Sequence, residues 1–120
     1  LSAIPTIENN YLTMKGIEKI KETANKLQLD DISLINQRHI YSIMAIATRS
    51  YFNPRQKSIY FKKRKEYIRF IRENYLKELI KNIKYSEYPK KKIILLFLIK
   101  HNLYFLINIY SYVSAYRFIR

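Results

Sequence analysis

Residues 55–85 read RQKSIYFKKRKEYIRFIRENYLKELIKNIKY, a stretch that combines an apolar stripe with a dense row of cations. The apolar stripe steps by three and four residues and consists of Ile68, Ile71, Tyr75, Leu79 and Ile83. The cations step by three, four and three residues and are Lys62, Lys65, Arg69 and Arg72. Residues at these intervals share one face of a helix. The stretch therefore predicts a long amphipathic helix with cations beside its apolar edge.

Turn residues mark both ends of this predicted helix. Asn53 suits the N-cap, Pro54 the first helical position and Gln56 the return contact of a capping box. Pro89 blocks continuation much beyond Tyr85, because proline cannot extend a helix that precedes it. We therefore predict a third helix of about 30 residues, or roughly 45 Å at 1.5 Å per residue.

Two shorter amphipathic helices are predicted upstream. In the first, Thr6 is the cap and apolar residues at helical spacing continue to about Gln28. The second helix is expected over residues 32–51. Its predicted buried stripe consists of Ile40, Ile43, Met44, Ala47 and Tyr51. Each of these helices has one apolar face and needs a packing partner.

Two upstream features resemble chemical sites, but structural roles are favoured for both. Asp30 and Asp31 directly precede the second helix, where carboxylates accept backbone N–H groups and complement the positive helix end. His39 lies beside the predicted buried stripe, where a single histidine is expected to be a packed or surface residue. We therefore predict neither a metal site nor a catalytic role for these three residues.

Downstream of Pro89, the sequence is strongly apolar but interrupted. A single helix over 93–113 would reach membrane-spanning length only by burying Lys100, His101 and Asn102. A charge at the bilayer centre costs about 2.5–3.5 kcal/mol even on lenient scales. Two helices, over about 89–100 and 102–118, are therefore predicted. The second has only a weak polar stripe, of Asn108, Ser111 and Ala115. Such a helix is most often buried in the core, with a membrane interface or a protein contact as the alternatives.

Composition limits the fold class and the chemistry. The 120 residues include one glycine, three prolines and no cysteine. Too few turn residues are present for an all-β fold, which favours one all-α domain over 1–120 with four to five helices, the third long and basic. Without glycine-rich loops or cysteines, no cofactor or thiolate metal site is predicted. No catalytic motif is recognisable, so independent enzyme activity is not expected.

The net charge of +14 is concentrated in the middle of the chain. Residues 55–92 contain fourteen Lys and Arg against four acids, whereas residues 1–50 are nearly neutral. A block this basic predicts a polyanionic partner, either nucleic acid or an anionic membrane surface. A solvated face without any partner remains the alternative.

The order and style of the segments resemble the C-terminal helical region of bacterial family 2 glycosyltransferases, which build surface polysaccharides. The segments are KGIEKIKETANKLQLDDISLINQRHIYSIMAIATRSYF, KKRKEYIRFIRENYLKELIKNIKY and PKKKIILLFLIKHNLYFLINIYSYVSAYRFIR. In that family such a region follows a nucleotide-sugar-binding α/β domain. The resemblance implies that this chain, which begins at Leu1, is an accessory fragment. The family's Asp-x-Asp motif has no match here, so no catalytic role is carried over.

The resemblance and the charge together suggest a docking role. The domain would hold a cytoplasmic enzyme peripherally on the inner face of the plasma membrane. Its expected contacts with anionic lipid are Lys62, Lys65, Arg69, Arg72, Lys90, Lys91 and Lys92. The parent catalytic domain is a further expected partner, and the last helices could form a homodimer contact.

Two alternatives remain open from the sequence. A nucleic-acid-binding module would use the same cations for phosphate contact and would stack bases on Tyr60, Tyr67 and Tyr75. A membrane-active polypeptide built from residues 93–119 is the third and weakest class.

Overall fold

The computed structural model describes residues 6–26 and 32–119, and within these ranges the chain forms helices and turns without any strand. The α-helices are α1 (Ile7–Lys26), α2 (Ile32–Ile46), α3 (Tyr60–Glu73), α4 (Lys77–Lys81), α5 (Ile93–Lys100) and α6 (Tyr104–Ile119). A π-helical turn, Ala47–Tyr51, extends α2, and short 3-10 turns cover Tyr85–Glu87 and Lys90–Lys92. The all-α prediction is confirmed. The described residues contain six α-helices rather than four to five.

The first two helices follow the sequence pattern closely. The Asn9 backbone N–H donates to Thr6 Oγ1 over 3.1 Å, which confirms Thr6 as the cap of α1. The second helix, counted with its π-helical turn, covers the predicted span of 32–51. Gln28, Asp30 and Asp31 lie outside the described residues, so the end of the first helix and the capping role of the aspartates stay predictions.

The core forms where α2 and its π-helical turn meet α3, α5 and α6. The predicted stripe of α2 is buried as expected, from Ile40 to Tyr51. Aromatic rings join the π-helical turn to α3: Tyr51 lies 5.3 Å from Phe70, and Phe52 lies 5.3 Å from Tyr67, between ring centroids. Such pairs add about 0.5–1.5 kcal/mol to the burial of the rings themselves. This aromatic cluster fixes α3 against the upstream helices.

The predicted start of the third helix at Asn53 is wrong. Asn53 instead directs a turn, because its side-chain Oδ1 accepts the backbone N–H of Arg55 over 2.9 Å. Its side-chain amide donates back to the carbonyl of Arg49, and α3 begins only at Tyr60. Asparagine forms these local hydrogen bonds as readily as an N-cap bond. An asparagine before a proline is therefore compatible both with a helix start and with the turn observed here.

The predicted continuation of the third helix to Tyr85 is also wrong. Helix α3 ends at Glu73 in a Schellman motif, in which the Leu76 N–H bonds the Ile71 carbonyl and the Tyr75 N–H bonds the Arg72 carbonyl. Tyr75 adopts a left-handed conformation with φ of 57°. The turn redirects the chain so that Leu76 is buried in the core. The third helix is therefore 14 residues long.

The interrupted C-terminal region forms two helices, as predicted. Helix α5 also ends in a Schellman motif, since the Leu103 N–H bonds the Leu98 carbonyl over 2.9 Å. Asn102 takes the left-handed position with φ of 57°. Within residues 6–26 and 32–119, every helix is too short or too polar to span a membrane.

Candidate functional site

Helix α3 separates its apolar and basic residues onto opposite sides. Tyr67, Phe70 and Ile71 are buried against the rest of the fold. The outer side carries the predicted cations, and all four of them are exposed: Lys62, Lys65, Arg69 and Arg72. We call these four residues the cation row. Arg69 Nε lies 3.9 Å from a Glu73 carboxylate oxygen, but both side chains are about half exposed, so this ion pair is weak.

A shallow groove runs along the cation row. Three of its lining residues belong to the row, namely Lys65, Arg69 and Arg72, and the others are Phe61, Arg64 and Ile68. The guanidinium carbon of Arg64 lies 5.9 Å from the centre of the Phe61 ring, within the range of a cation–π contact. Apolar and cationic groups therefore alternate along one exposed surface.

The predicted contacts before α5 lie on a different part of the fold. Lys90, Lys91 and Lys92 form a 3-10 turn, and none of them lines the groove on α3. Lys92 instead lines a separate cavity together with Arg49. The seven predicted contacts thus form two groups in the structure.

Helix α6 presents an apolar face to solvent. This apolar face consists of Phe105, Leu106, Ile109, Tyr112 and Val113, all of them exposed. Phe105 is 59% exposed and Tyr112 is 63% exposed, whereas the polar Ser111 is only 2% exposed. The expectation that this helix lies in the core therefore holds for its inner side and is wrong for its outer side.

The apolar face adjoins the start of α3. The Tyr60 ring lies 5.5 Å from the Phe61 ring on α3 and 5.5 Å from the Phe105 ring on α6, between centroids. One turn further along each helix, Lys63 shares a small cleft with Ile109 and Tyr112. The groove along the cation row, which Phe61 also lines, is therefore joined to the exposed apolar face of α6 through the rings of Phe61, Tyr60 and Phe105. We call the cation row and the apolar face together the amphipathic surface.

The sequence interpretation missed the apolar face because α6 is apolar on nearly every side. The available signal was the weak polar stripe of Asn108 and Ser111. A polar stripe usually marks the solvent side of a helix. Here the Ser111 hydroxyl turns inward and donates to the Ile107 carbonyl over 2.8 Å, which satisfies it within the fold.

Lys63 belongs to the same helix as the cation row but has a structural role. Its Nζ donates to the Asn53 carbonyl over 3.1 Å, and the residue is buried. Burial lowers the pKa of its ammonium group. Lys63 therefore joins α3 to the preceding turn and is not available to an external anion.

His39 is a packed residue, as the sequence predicted. It is fully buried, its Nδ1 lies 2.8 Å from Lys21 Nζ, and its Nε2 lies 3.2 Å from Met14 Sδ. Burial, with the Lys21 charge adding to it, lowers the pKa of His39 to about 4. The neutral imidazole thus accepts a hydrogen bond from the Lys21 ammonium group at Nδ1. The part of the chain that the structure describes holds no group of three potential metal ligands.

Comparisons with known proteins give no match. No family model matches the chain, and no curated protein or solved structure shows significant similarity to it. The resemblance to the glycosyltransferase region therefore stays a prediction.

Proposed function

We propose that this chain is a non-catalytic accessory domain that binds an anionic membrane surface peripherally through its amphipathic surface. The observation that carries the proposal is that the groove along the cation row on α3 and the exposed apolar face of α6 are linked through aromatic rings at the start of α3. Tyr60, in ring contact with both Phe61 and Phe105, joins the two surfaces. A peripheral membrane protein needs both features on one side, because apolar groups enter the interface while cations meet the lipid headgroups.

The two parts contribute through different forces. A Lys or Arg near an anionic leaflet contributes about 1 kcal/mol, so the four residues of the cation row provide roughly 4 kcal/mol at most. Burial of a large apolar side chain contributes about 1.5–3 kcal/mol when complete and less at an interface. The apolar face has five such side chains, two of them aromatic. Neither part needs to span the bilayer.

A nucleic-acid-binding role has weaker support. Two of the three tyrosines predicted to stack bases are poorly placed, since Tyr67 is only 2% exposed and Tyr60 is partly covered by Phe52 and Phe105. Tyr75 is 90% exposed but lies beyond the end of α3. The cation row could still contact phosphates, but stacking from these three tyrosines is largely lost. The exposed apolar face also has no use in such a complex.

We assign the parent protein to the glycosyltransferases on the resemblance alone. This part of the proposal is tested by sequencing the reading frame upstream of the codon for Leu1. An α/β domain with an Asp-x-Asp motif is expected there. An immediate start codon, or an unrelated upstream domain, would remove the glycosyltransferase assignment and leave the membrane proposal standing.

Vesicle flotation tests the membrane proposal. The chain is expected to float with vesicles that contain anionic lipid and to remain unbound with neutral ones. Replacing all four cation-row residues by Glu should abolish flotation. The matched control replaces four exposed lysines elsewhere by Glu: Lys15, Lys19, Lys26 and Lys84. Both variants have the same net charge, so equal losses would show that overall charge alone acts and would contradict the proposed surface.

Two parallel measurements separate the other uses of the same surface. Gel filtration over a range of protein concentrations detects a homodimer that covers the apolar face. A duplex DNA titration detects nucleic-acid binding, for which a steep dependence on salt is expected. Binding to DNA without any preference for anionic vesicles would overturn the membrane proposal.

A further inference from the structure

A partly open cavity of about 400 Å³ lies between α2 with its π-helical turn, the start of α5, and the inner side of α6. Its size is within the range of small-molecule sites, about 300–1,000 Å³. The lining mixes polar and apolar side chains, and its two cations, Arg49 and Lys92, come from different elements. The described lining residues include no Asp or Glu.

The charge in this cavity is uncompensated within the described residues. Neither Arg49 nor Lys92 has a carboxylate within ion-pair distance in residues 6–26 and 32–119. Two cations lining one cavity repel each other and favour an anion between them. An arginine beside a lysine suits phosphate in particular, because the guanidinium can bond two oxygens at once while the ammonium acts as a point charge.

The hydroxyl groups of the lining define the rest of the ligand. The Thr48 hydroxyl donates to the Met44 carbonyl over 3.0 Å, and the Ser111 hydroxyl donates to the Ile107 carbonyl over 2.8 Å. Because each hydroxyl proton is already donated to a backbone carbonyl, each hydroxyl oxygen can only accept a hydrogen bond from a ligand in the cavity. Acceptors of this kind match hydroxyl groups on a ligand. The lining thus combines donors for an anion with acceptors for hydroxyls.

We propose that this cavity binds a glycerophosphate group, with Arg49 and Lys92 on the phosphate and the Thr48 and Ser111 oxygens accepting from the glycerol hydroxyls. Pro54 lines both this cavity and the small cleft that contains Ile109 and Tyr112 of the apolar face. A headgroup at the membrane edge could therefore enter it. That the glycerophosphate is the headgroup of phosphatidylglycerol rests on the proposed function; the cavity itself would also accept free glycerol 3-phosphate.

The experiment compares two lipids of equal charge and one soluble ligand. The full chain is floated with vesicles containing phosphatidylglycerol or, at the same fraction, phosphatidylserine, and glycerol 3-phosphate is titrated by calorimetry. The test variant is Arg49→Gln with Lys92→Gln. The control variant is Arg38→Gln with Lys57→Gln, which removes the same charge from exposed residues outside the cavity and outside the expected lipid contacts. Circular dichroism verifies that both variants stay helical.

The wild-type chain and the control should prefer phosphatidylglycerol, and the test variant should lose about tenfold in affinity for it while its binding to phosphatidylserine changes like that of the control. Binding of glycerol 3-phosphate that depends on Arg49 and Lys92, without vesicle binding, would keep the site and reject the membrane as the ligand source. Equal binding of both lipids, together with no binding of glycerol 3-phosphate, would overturn the site and leave surface docking intact.

Discussion

Helices α3 and α6 both pack one side against the core, yet their exposed sides have opposite chemistry. On α3 the aromatic residues Tyr67 and Phe70 face inward, and the cation row faces solvent. On α6 the polar Ser111 faces inward, and the apolar face is exposed. Helix α3 exposes the cation row as its sequence pattern indicates. Its predicted apolar stripe is only partly confirmed, because Ile71 is buried whereas Ile68 is partly exposed and Tyr75 is 90% exposed. Helix α6 is inverted relative to its weak polar stripe.

The difference follows from what each helix meets on its inner side. Helix α3 packs on Tyr51 of the π-helical turn, and ring contacts with this residue stabilise the buried Tyr67 and Phe70. Helix α6 contacts the core through Ile107, but further along it borders the cavity that Arg49 and Lys92 line. Ser111 and Ser114 line that cavity, so the remaining apolar side chains of the helix are directed outward. The apolar face of α6 is exposed for this reason.

The largest expected effect distinguishes a buried ring on α3 from an exposed ring on α6. Phe70→Ala should lower the free energy of unfolding by about 3–5 kcal/mol, because it removes a fully buried ring and leaves a cavity. Phe105→Ala should change it by about 0.5 kcal/mol or less, since that ring is mostly exposed. Urea denaturation measures both. Similar losses for the two variants would show that α6 packs as tightly as α3.

Acidification should destabilise the fold through the buried His39. The folded-state pKa of His39 is about 4, below the ordinary value of about 6.5, so the unfolded chain binds this proton first as pH falls. Stability is therefore fully present above about pH 6.5 and decreases by up to about 3 kcal/mol as pH falls to 4. Urea denaturation at several pH values checks this, with His39→Gln as the variant that should lose the dependence.

The same pH series shows whether a loss of vesicle binding at acid pH results from unfolding. If vesicle binding requires the intact fold, its loss at acid pH should coincide with loss of helical signal. Loss of binding while the fold remains intact would point to titration at the binding surface or of the lipid.

Removing apolar area from α6 should weaken membrane binding without unfolding the chain. Phe105→Ser combined with Ile109→Ser is expected to lower the vesicle affinity by about 2 kcal/mol, because two side chains no longer enter the interface. The loss should persist at 1 M salt, where charge effects are screened within about 3 Å. A matched pair on another face, Leu12→Ser with Ile20→Ser, should have no effect, since both are exposed on α1.

A single change in the cation row should have a smaller and salt-sensitive effect. Arg69→Gln is expected to cost about 1 kcal/mol of vesicle affinity at low salt and almost nothing at 1 M. Lys19→Gln on α1 is the control. If the salt dependence of Arg69→Gln matched that of the α6 variant, the division of labour between the two helices would be wrong.

A small effect on stability is expected at the turn that follows α3 and at the turn that precedes α6. Tyr75→Gly should stabilise the fold by about 1 kcal/mol, because a left-handed backbone is unfavourable for tyrosine and free of strain for glycine. Asn102→Gly should gain less, since asparagine tolerates this conformation. Thermal unfolding of the two variants gives the comparison, and a loss of stability in Tyr75→Gly would show that the exposed ring contributes packing.

Much of the fold could be predicted from local patterns. Thr6 was recognised as a cap, the buried stripe of α2 was read from its spacing, and Lys100, His101 and Asn102 indicated the break between α5 and α6. The break after Glu73 was not predictable, because Asn74 and Tyr75 are ordinary in a helix and the apolar spacing continues past them. The turn forms because Leu76 is then buried with Ile80 and Ile83, an advantage that arises only once the core exists.

The candidate site, like the fold, is only partly predictable from the sequence. The sequence by itself determined the helical class, the start of α1, the span of α2, the break between α5 and α6, and the exposed cation row, because charge and periodicity are local properties. The tertiary structure decided which face of α6 is exposed, which brings that face beside α3, and it placed Lys92 beside Arg49 in one cavity. A helix that is apolar on nearly all sides has no preferred orientation of its own, so its neighbours select the side that is buried.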